Sequence, residues 1–241
     1  MITSLIVLVT LAGAPGATDF DAFFEEFSAK RDEIQTLEAR FQQKNVTPEE
    51  TRATGGSIIY ANPRRIVFRY LEPERGATYV VDEYRAYEYI PEIEQVEIHN
   101  IRDNPQAEIF FLGFEDNAEQ LQQAYNLELF DPAGTAESVP EAARGLAIRP
   151  KPKNDEPLPF KEVRLYLREK DYLPVRIHVI NDEESQTFID ISAFTINQPL
   201  PPEKAQIQLP EGVKVIEDGR LVETVGAGGK NLPGPVGAKP E

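Results

Sequence analysis

From Leu37 onward the chain is a succession of short segments rich in β-branched and aromatic residues, cut at near-regular intervals by Gly, Pro, Asn or acidic turns. Segments at 37–43, 55–61, 64–71, 77–82, 85–90 and 94–99 predict six strands, and their spacing predicts an antiparallel meander. Asn62-Pro63 and Glu72-Pro73 mark two of its turns, because a residue ahead of proline leaves the α region and proline cannot donate to a strand ladder. Further strands are predicted near 127–131, 145–149, 160–168, 173–181, 185–197, 205–209 and 213–217. Between them, Pro150 to Pro159 is too rich in proline for regular structure and reads as a loop.

Helical patterning is confined to two stretches. Phe20, Phe23, Phe24, Phe27, Ile34 and Leu37 recur at three- and four-residue spacing opposite Asp21, Glu25, Glu26, Lys30 and Asp32, which predicts one amphipathic helix over 20–37. Residues 106–114 and 117–125 break the strand alternation and predict one or two short helices crossing the sheet. The class is therefore α+β, mainly β. Along the third segment Arg64, Ile66, Phe68 and Tyr70 share one face while Arg65, Val67 and Arg69 share the other. The split recurs at Tyr87 and Tyr89, at Val163, Leu165 and Leu167 against Arg164 and Arg168, and at Val175, Ile177 and Val179 against Arg176 and His178. A large sheet with one apolar concave face and one charged face follows. Two helical stretches are too little to cover the apolar side, and an elongated apolar ligand is the simplest occupant of the remainder. Periodicity identifies a buried face without saying what fills it, so a plain packed core fits the same residues equally well.

Charge and residue chemistry narrow the function. Forty-one Asp and Glu against 25 Lys and Arg give a net charge of −16, which repels a nucleic-acid backbone and sets nucleic acid aside as a partner. The chain has no Cys and two His, His99 and His178, which removes thiol catalysis, Cys-bearing zinc sites and a Cys-linked lipid anchor on this chain. Both histidines read as surface residues. The acidic clusters Glu49-Glu50, Asp155-Glu156 and Asp182-Glu183-Glu184 sit in turns and lack calcium-loop spacing, so solvated turns are their plainest reading. Neither a phosphate loop nor a nucleophile elbow stands at a credible position. No catalytic residue, metal or cofactor is nominated, and the protein is expected not to be an enzyme.

The two ends are read apart from the domain. Residues 2–14 form an apolar run followed by small residues, with Ala17-Thr18 as the cleavage junction, so 1–17 is expected to be a signal peptide and the mature protein exported, soluble and periplasmic. From Asp218 the composition turns to Gly and Pro with few large apolar side chains, which predicts a disordered tail over 218–241. Residues 18–217 make up the folded domain.

Within that domain, Leu37 to Val96 resembles the LolA family, the periplasmic carriers of outer-membrane lipoproteins. The resemblance rests on Phe41-Gln42-Gln43-Lys44 after an amphipathic helix, Gly56, Asn62-Pro63, the strand Ile66 to Tyr70, and Pro73. It continues through Asp82, Tyr87-Glu88-Tyr89-Ile90-Pro91 and Glu94-Gln95, an apolar stretch at Ile109 to Phe114, and a closing strand at Leu209 to Val215. What the resemblance implies is an unclosed antiparallel β-barrel, a half-barrel, with helices as a lid over an apolar cavity that shields acyl chains. On that reading Ile66, Phe68, Tyr70, Tyr87, Tyr89, Val96 and Ile98 line the cavity, and Phe110, Phe111, Leu112 and Phe114 form the lid. The family's arginine ahead of the first turn proline is matched by Asn62, with Arg64 on the same strand face as its substitute, so these two are the candidate lid latch.

The implied partners are the acyl chains of triacylated lipoproteins, an inner-membrane ABC-type releasing complex and an outer-membrane receptor lipoprotein, with the carrier itself a monomer. A periplasmic lipid-binding or envelope-stress sensor module using the same half-barrel is the alternative. An envelope hydrolase would need converging acid and base side chains, and no pair is nominated.

Overall fold

The protein, seen in a computed structural model, is described over residues 17–72, 76–102, 118–135, 139, 141–152, 158, 160–234 and 236. Helix α1 (Ala17–Asp32) is followed by β1 (Thr36–Val46), β2 (Thr51–Ala61), β3 (Arg65–Glu72), β4 (Thr78–Val81), β5 (Arg85–Ile90) and β6 (Gln95–Asn100). A short helix α2 (Ala118–Ala124) leads into β7 (Tyr125–Phe130), β8 (Arg144–Pro150), β9 (Glu162–Leu167), β10 (Pro174–Ile180) and β11 (Gln186–Ile196). The last described strands are β12 (Ile207–Leu209), β13 (Lys214–Glu217), β14 (Arg220–Thr224) and β15 (Lys230–Leu232).

Thirteen strands form one unclosed sheet in the order β14-β13-β6-β5-β4-β3-β2-β1-β11-β10-β9-β8-β7, and β12 pairs with β15 in a small second sheet. The fold is mainly β, as the turn spacing predicted. Two antiparallel meanders, β1 to β6 and β7 to β11, are joined at the centre where β1 pairs with β11 through Phe41 opposite Ile191 and Gln43 opposite Ile189. One pairing is parallel, β13 beside β6, with Val215 opposite Val96.

The predicted first helix ends earlier than its apolar pattern suggested. Ile34 and Leu37 continue the spacing but lie in the link and in β1, both buried. Asn197 fixes that link. Its Oδ1 accepts from the backbone N–H groups of Gln35 (2.7 Å) and Thr36 (3.3 Å), and its Nδ2 donates to the carbonyl of Glu33 (2.7 Å). The helix lays Phe23, Phe24 and Phe27 against Leu146, Ile148, Val163 and Leu165 of β8 and β9. A second cluster on the same side of the sheet joins Ile34, Leu37, Phe41, Ile58, Tyr60, Ile66, Val81, Leu173 and Ile191. We call this side the inner face.

The turn between β9 and β10 clamps the helix. Arg31, in the last turn of α1 and 4% exposed, donates to the carbonyl of Tyr172, and its guanidinium lies 5.1 Å from the Phe27 ring centroid. Burial draws the Arg31 guanidinium down to about 9, against the opposing charge of Asp171. Asp171 accepts two bonds from Arg168, each 2.6 Å, and one from the Leu173 N–H at 3.1 Å. Burial would raise its carboxyl, but the Arg168 and Leu173 bonds outweigh this and hold it below the usual aspartate range. The stability carried by a depressed carboxylate is complete above the unfolded pKa and is lost as pH falls through the lower folded value. Asp171→Asn is therefore expected to cost about 1–3 kcal/mol near pH 7. The gap from the parent should narrow below pH 4 or so, read from urea midpoints between pH 3 and 7; a gap constant across that range contradicts the assignment.

The outer face departs most from expectation. In place of one apolar and one charged side, the sheet is apolar on both sides over β2 to β4, and its outer face stays apolar through β6. Ile59, Val67, Val80, Tyr87, Val96 and Ile98 are buried there in one cluster with Ile207, Leu209, Val213, Val215 and Val225. The expected disordered tail is likewise corrected: residues 218–234 carry β14 and β15, paired with β13 and β12. The arginines read as a charged face hold down the C-terminal part of the chain from Lys204 to Gly234. Arg69 donates to the carbonyls of Lys204 (2.8 Å) and Gln206 (2.7 Å), and Arg65 donates to that of Gly234 (2.8 Å). A guanidinium suits the task because its several N–H groups satisfy carbonyls that a covered loop leaves unpaired. His178, read as a surface residue, is instead 3% exposed, stacked on Phe188 at 4.2 Å with its Nε2 2.9 Å from Gln186 Oε1.

Candidate ligand-binding face

Cross-strand register decides which side each predicted lining residue takes. Tyr60 is opposite Ile66, and Ile66 is opposite Val81, so these lie in one row on the inner face. The next strand step places Ile58, Phe68 and Tyr79 in a second inner row, with Tyr70 one step further along β3. Val67 is opposite Val80, Val80 opposite Tyr87, and Tyr87 opposite Ile98, which puts that row on the outer face. Of the seven residues expected to line one cavity, Ile66, Phe68 and Tyr70 share the inner face. Tyr87, Tyr89, Val96 and Ile98 face the other way and pack with the C-terminal segment. Alternation along β5 and β6 says which residues share a side. Only the hairpin registers say which side it is.

On the inner face, β5 and β6 carry Ala86, Glu88, Glu97 and His99. The apolar surface therefore stops at β4 and runs in the other direction through β1, β11 and β10 toward β7. Strands β1, β3 and β11 show the same gradient along their length. Leu37, Ala39 and Phe41 on β1 are buried, whereas Gln43 and Asn45 on the same face are half-buried. Ile191 on β11 and Ile66 on β3 are buried, whereas Ile189, Thr187, Phe68 and Tyr70 beyond them are half-buried. Ile177 and Val179 of β10 are half-buried alongside. The deep end lies beside the α1–β1 link, and the open end lies at the β1–β2 and β10–β11 hairpins.

Aromatic rings pave the middle of this face. Phe41 meets Phe68 and Tyr70 edge-on at 6.0 and 5.2 Å, and Tyr70 meets Tyr79 at 5.5 Å. Gly56 makes that packing attainable, since a Cβ there would stand 1.9 Å from the Arg69 carbonyl oxygen and 2.8 Å from the Phe41 ring. At the open end the side chains turn polar. Tyr70 Oη donates to Gln43 Oε1 (3.1 Å), Gln43 Nε2 donates to Asn45 Oδ1 (3.1 Å), and Thr187 Oγ1 donates to the same oxygen (3.0 Å). Tyr79 Oη donates to Glu88 (2.8 Å). Sequence reasoning missed Gln43, Asn45 and Thr187 as site residues, although the every-second-residue spacing Phe41, Gln43, Asn45 places them on one face.

The predicted lid residues Phe110, Phe111, Leu112 and Phe114 lie outside the described residues. The candidate latch residues part company. Asn62 donates to Gln35 through its backbone N–H (2.9 Å) and its Nδ2 (3.3 Å), which ties the β2–β3 turn to the α1–β1 link. Arg64 stands in that turn with a positive φ of 41°. Elsewhere, a groove of about 380 Å³ between sheet and C-terminal segment is bordered by Arg69, Thr78, Tyr89, Glu203 and Gln206. Among the described residues no group of three His, Asp or Glu side chains is placed to hold a metal ion, and no helix is long and apolar enough to cross a membrane.

Comparison with known proteins places this geometry. Residues 32–208 match the family model described as outer membrane lipoprotein carrier protein LolA. The outer-membrane lipoprotein carrier protein of Bordetella avium is 22% identical over 223 residues, covering 90% of this chain and 98% of that one. An uncharacterized conserved protein of Thermus thermophilus shares the fold with a TM-score of 0.52 at 13% identity, covering 82% of this chain and 99% of that one. A structure of MucB aligns with a TM-score of 0.48 at 13% identity, covering 80% of this chain and 64% of that one. With the family model spanning well over half its length, the chain belongs to the LolA family.

Proposed function

We propose that the protein is a periplasmic carrier that shields the acyl chains of lipoproteins on its inner face and moves them from the inner to the outer membrane. One observation carries this reading. The outer apolar surface is sealed by the protein's own residues 207–225, whereas the inner surface keeps Phe68, Tyr70, Ile177 and Ile189 half-buried toward one end. Family membership and the carrier name of the Bordetella avium relative support it. The apolar run at residues 2–14 supports export, and the partners that follow from the reading are a membrane complex that releases lipoproteins and a receptor that accepts them.

The physical need is plain. Burying an acyl chain of about 16 carbons at about 0.8 kcal/mol per methylene is worth roughly 12 kcal/mol, so a lipoprotein crosses water only on a replacement apolar surface. Native mass spectrometry of the protein purified from its own envelope without detergent tests the reading. A co-purifying triacylated polypeptide is the expected result. A free phospholipid in its place points to a lipid-binding module, and a reproducibly empty protein removes the carrier reading.

A further inference from the structure

Resting on the carrier reading, we infer that Gln43, Asn45 and Thr187 form a subsite for the uncharged ester and amide carbonyls that join acyl chains to a polar head, so that bound chains point toward the α1–β1 link. Along β1, β3 and β11 the inner face is apolar up to this end, where the three side chains and Tyr70 Oη are chained by hydrogen bonds of 3.0–3.1 Å. A water-facing rim would need no such chain. A rim that exchanges water for ligand gains from donors already held in place.

The chemistry of the groups selects the head. An amide carries two N–H donors and a carbonyl acceptor. Asn45 uses its oxygen twice within the protein, accepting from Gln43 and Thr187, so what it offers a ligand is its NH2 group. An NH2 donor suits a carbonyl oxygen. Among the described residues, the ionised groups nearby on this face are acidic or already paired: Glu88 holds Tyr79 Oη, and Arg52, opposite Asn45, is bridged to Glu50 at 3.2 Å. A phosphate would meet Glu88 without a dedicated cation. A diacylglyceryl thioether with an N-acyl group brings three carbonyls and no phosphate, and the gradient from Leu37 through Phe41 to Asn45 aligns its tails with the strands.

The test uses a short synthetic N-acyl-S-diacylglyceryl-cysteine peptide and, as an apolar control, the dye N-phenyl-1-naphthylamine. Gln43→Leu with Asn45→Leu should weaken the lipopeptide about tenfold, while dye binding stays within about twofold of the parent. Thr187→Val, nearly isosteric, should give a smaller loss of about threefold and guards against misfolding of the double variant. Phosphatidylglycerol should bind the parent at least about tenfold more weakly than the lipopeptide. Unchanged lipopeptide affinity in both variants overturns the subsite and leaves the carrier reading standing. Equal uptake of phosphatidylglycerol overturns the choice of an uncharged head. A parent protein that takes up dye but no lipopeptide overturns the carrier reading itself, and the subsite with it.

Discussion

Val96→Asp is expected to lower the thermal midpoint by about 8–16 °C, because a buried unpaired carboxylate costs on the order of 4 kcal/mol and each kcal/mol moves a chain of this size by about 2–4 °C. Val96 is 0% exposed and sits opposite Val215 in the parallel β6–β13 pair. Its neighbours on the outer face are aliphatic and aromatic, from Val80 and Tyr87 to Ile207 and Leu209. None offers a cation. Calorimetry of the variant, with limited proteolysis between residues 207 and 230, reports both the loss and its location. A midpoint within about 2 °C of the parent would place Val96 against solvent or a removable ligand and contradict the sealed outer face.

Phe68→Glu should do the opposite: leave the fold in place and abolish uptake. Phe68 is half-buried on the inner face, in edge contact with Phe41 but on the open side of the paved surface. The free protein hydrates much of the new carboxylate, so the expected cost in stability is about 1–2 kcal/mol. An acyl chain laid across it must strip that water away, which should weaken binding by about 100-fold or more. Dye titration and lipopeptide uptake, read beside the thermal midpoint, check both halves. Undiminished uptake by a folded variant would remove the inner face as the carrier surface. The contrast with Val96 is the useful part, because both residues belong to the same apolar alternation in sequence and only one lies where a ligand can reach.

That contrast shows what is legible in such a chain. Strands were readable because β-branched and aromatic runs end at Asn62-Pro63, at the Asp82 turn and at Pro91, and these breaks fall where β2, β4 and β5 stop. The apolar stripe of α1 was readable from the phenylalanine spacing; its packing on β8 and β9 was not. The side taken by β5 and β6 was not, since Tyr87 is assigned to the outer face only by its register with Val80. Composition misled at the C-terminal end. Residues 218–234 hold few large apolar side chains, too few to build a core, but enough to lie on one already present. Val225 and Leu232 join an apolar surface that Val67 and Val80 supply. Arg65 and Arg69 misled for a related reason, because their charge suggested water and their partners are backbone carbonyls.

The central place of β1 sets the order in which this molecule is completed. Its two neighbours in the sheet come from residues 51–61 and 186–196, so one edge of the first meander's strand can be satisfied at once and the other waits for most of the chain. The outer surface waits longer still, since Val67, Val80 and Val96 are covered by residues 207–225. Pairings of such long sequence separation are slow to form, and apolar surface left uncovered in the interval invites association with other chains. Until those residues arrive the chain is a half-sheet with one apolar surface bare, so its folding yield should depend on how soon residues 207–225 follow the first meander.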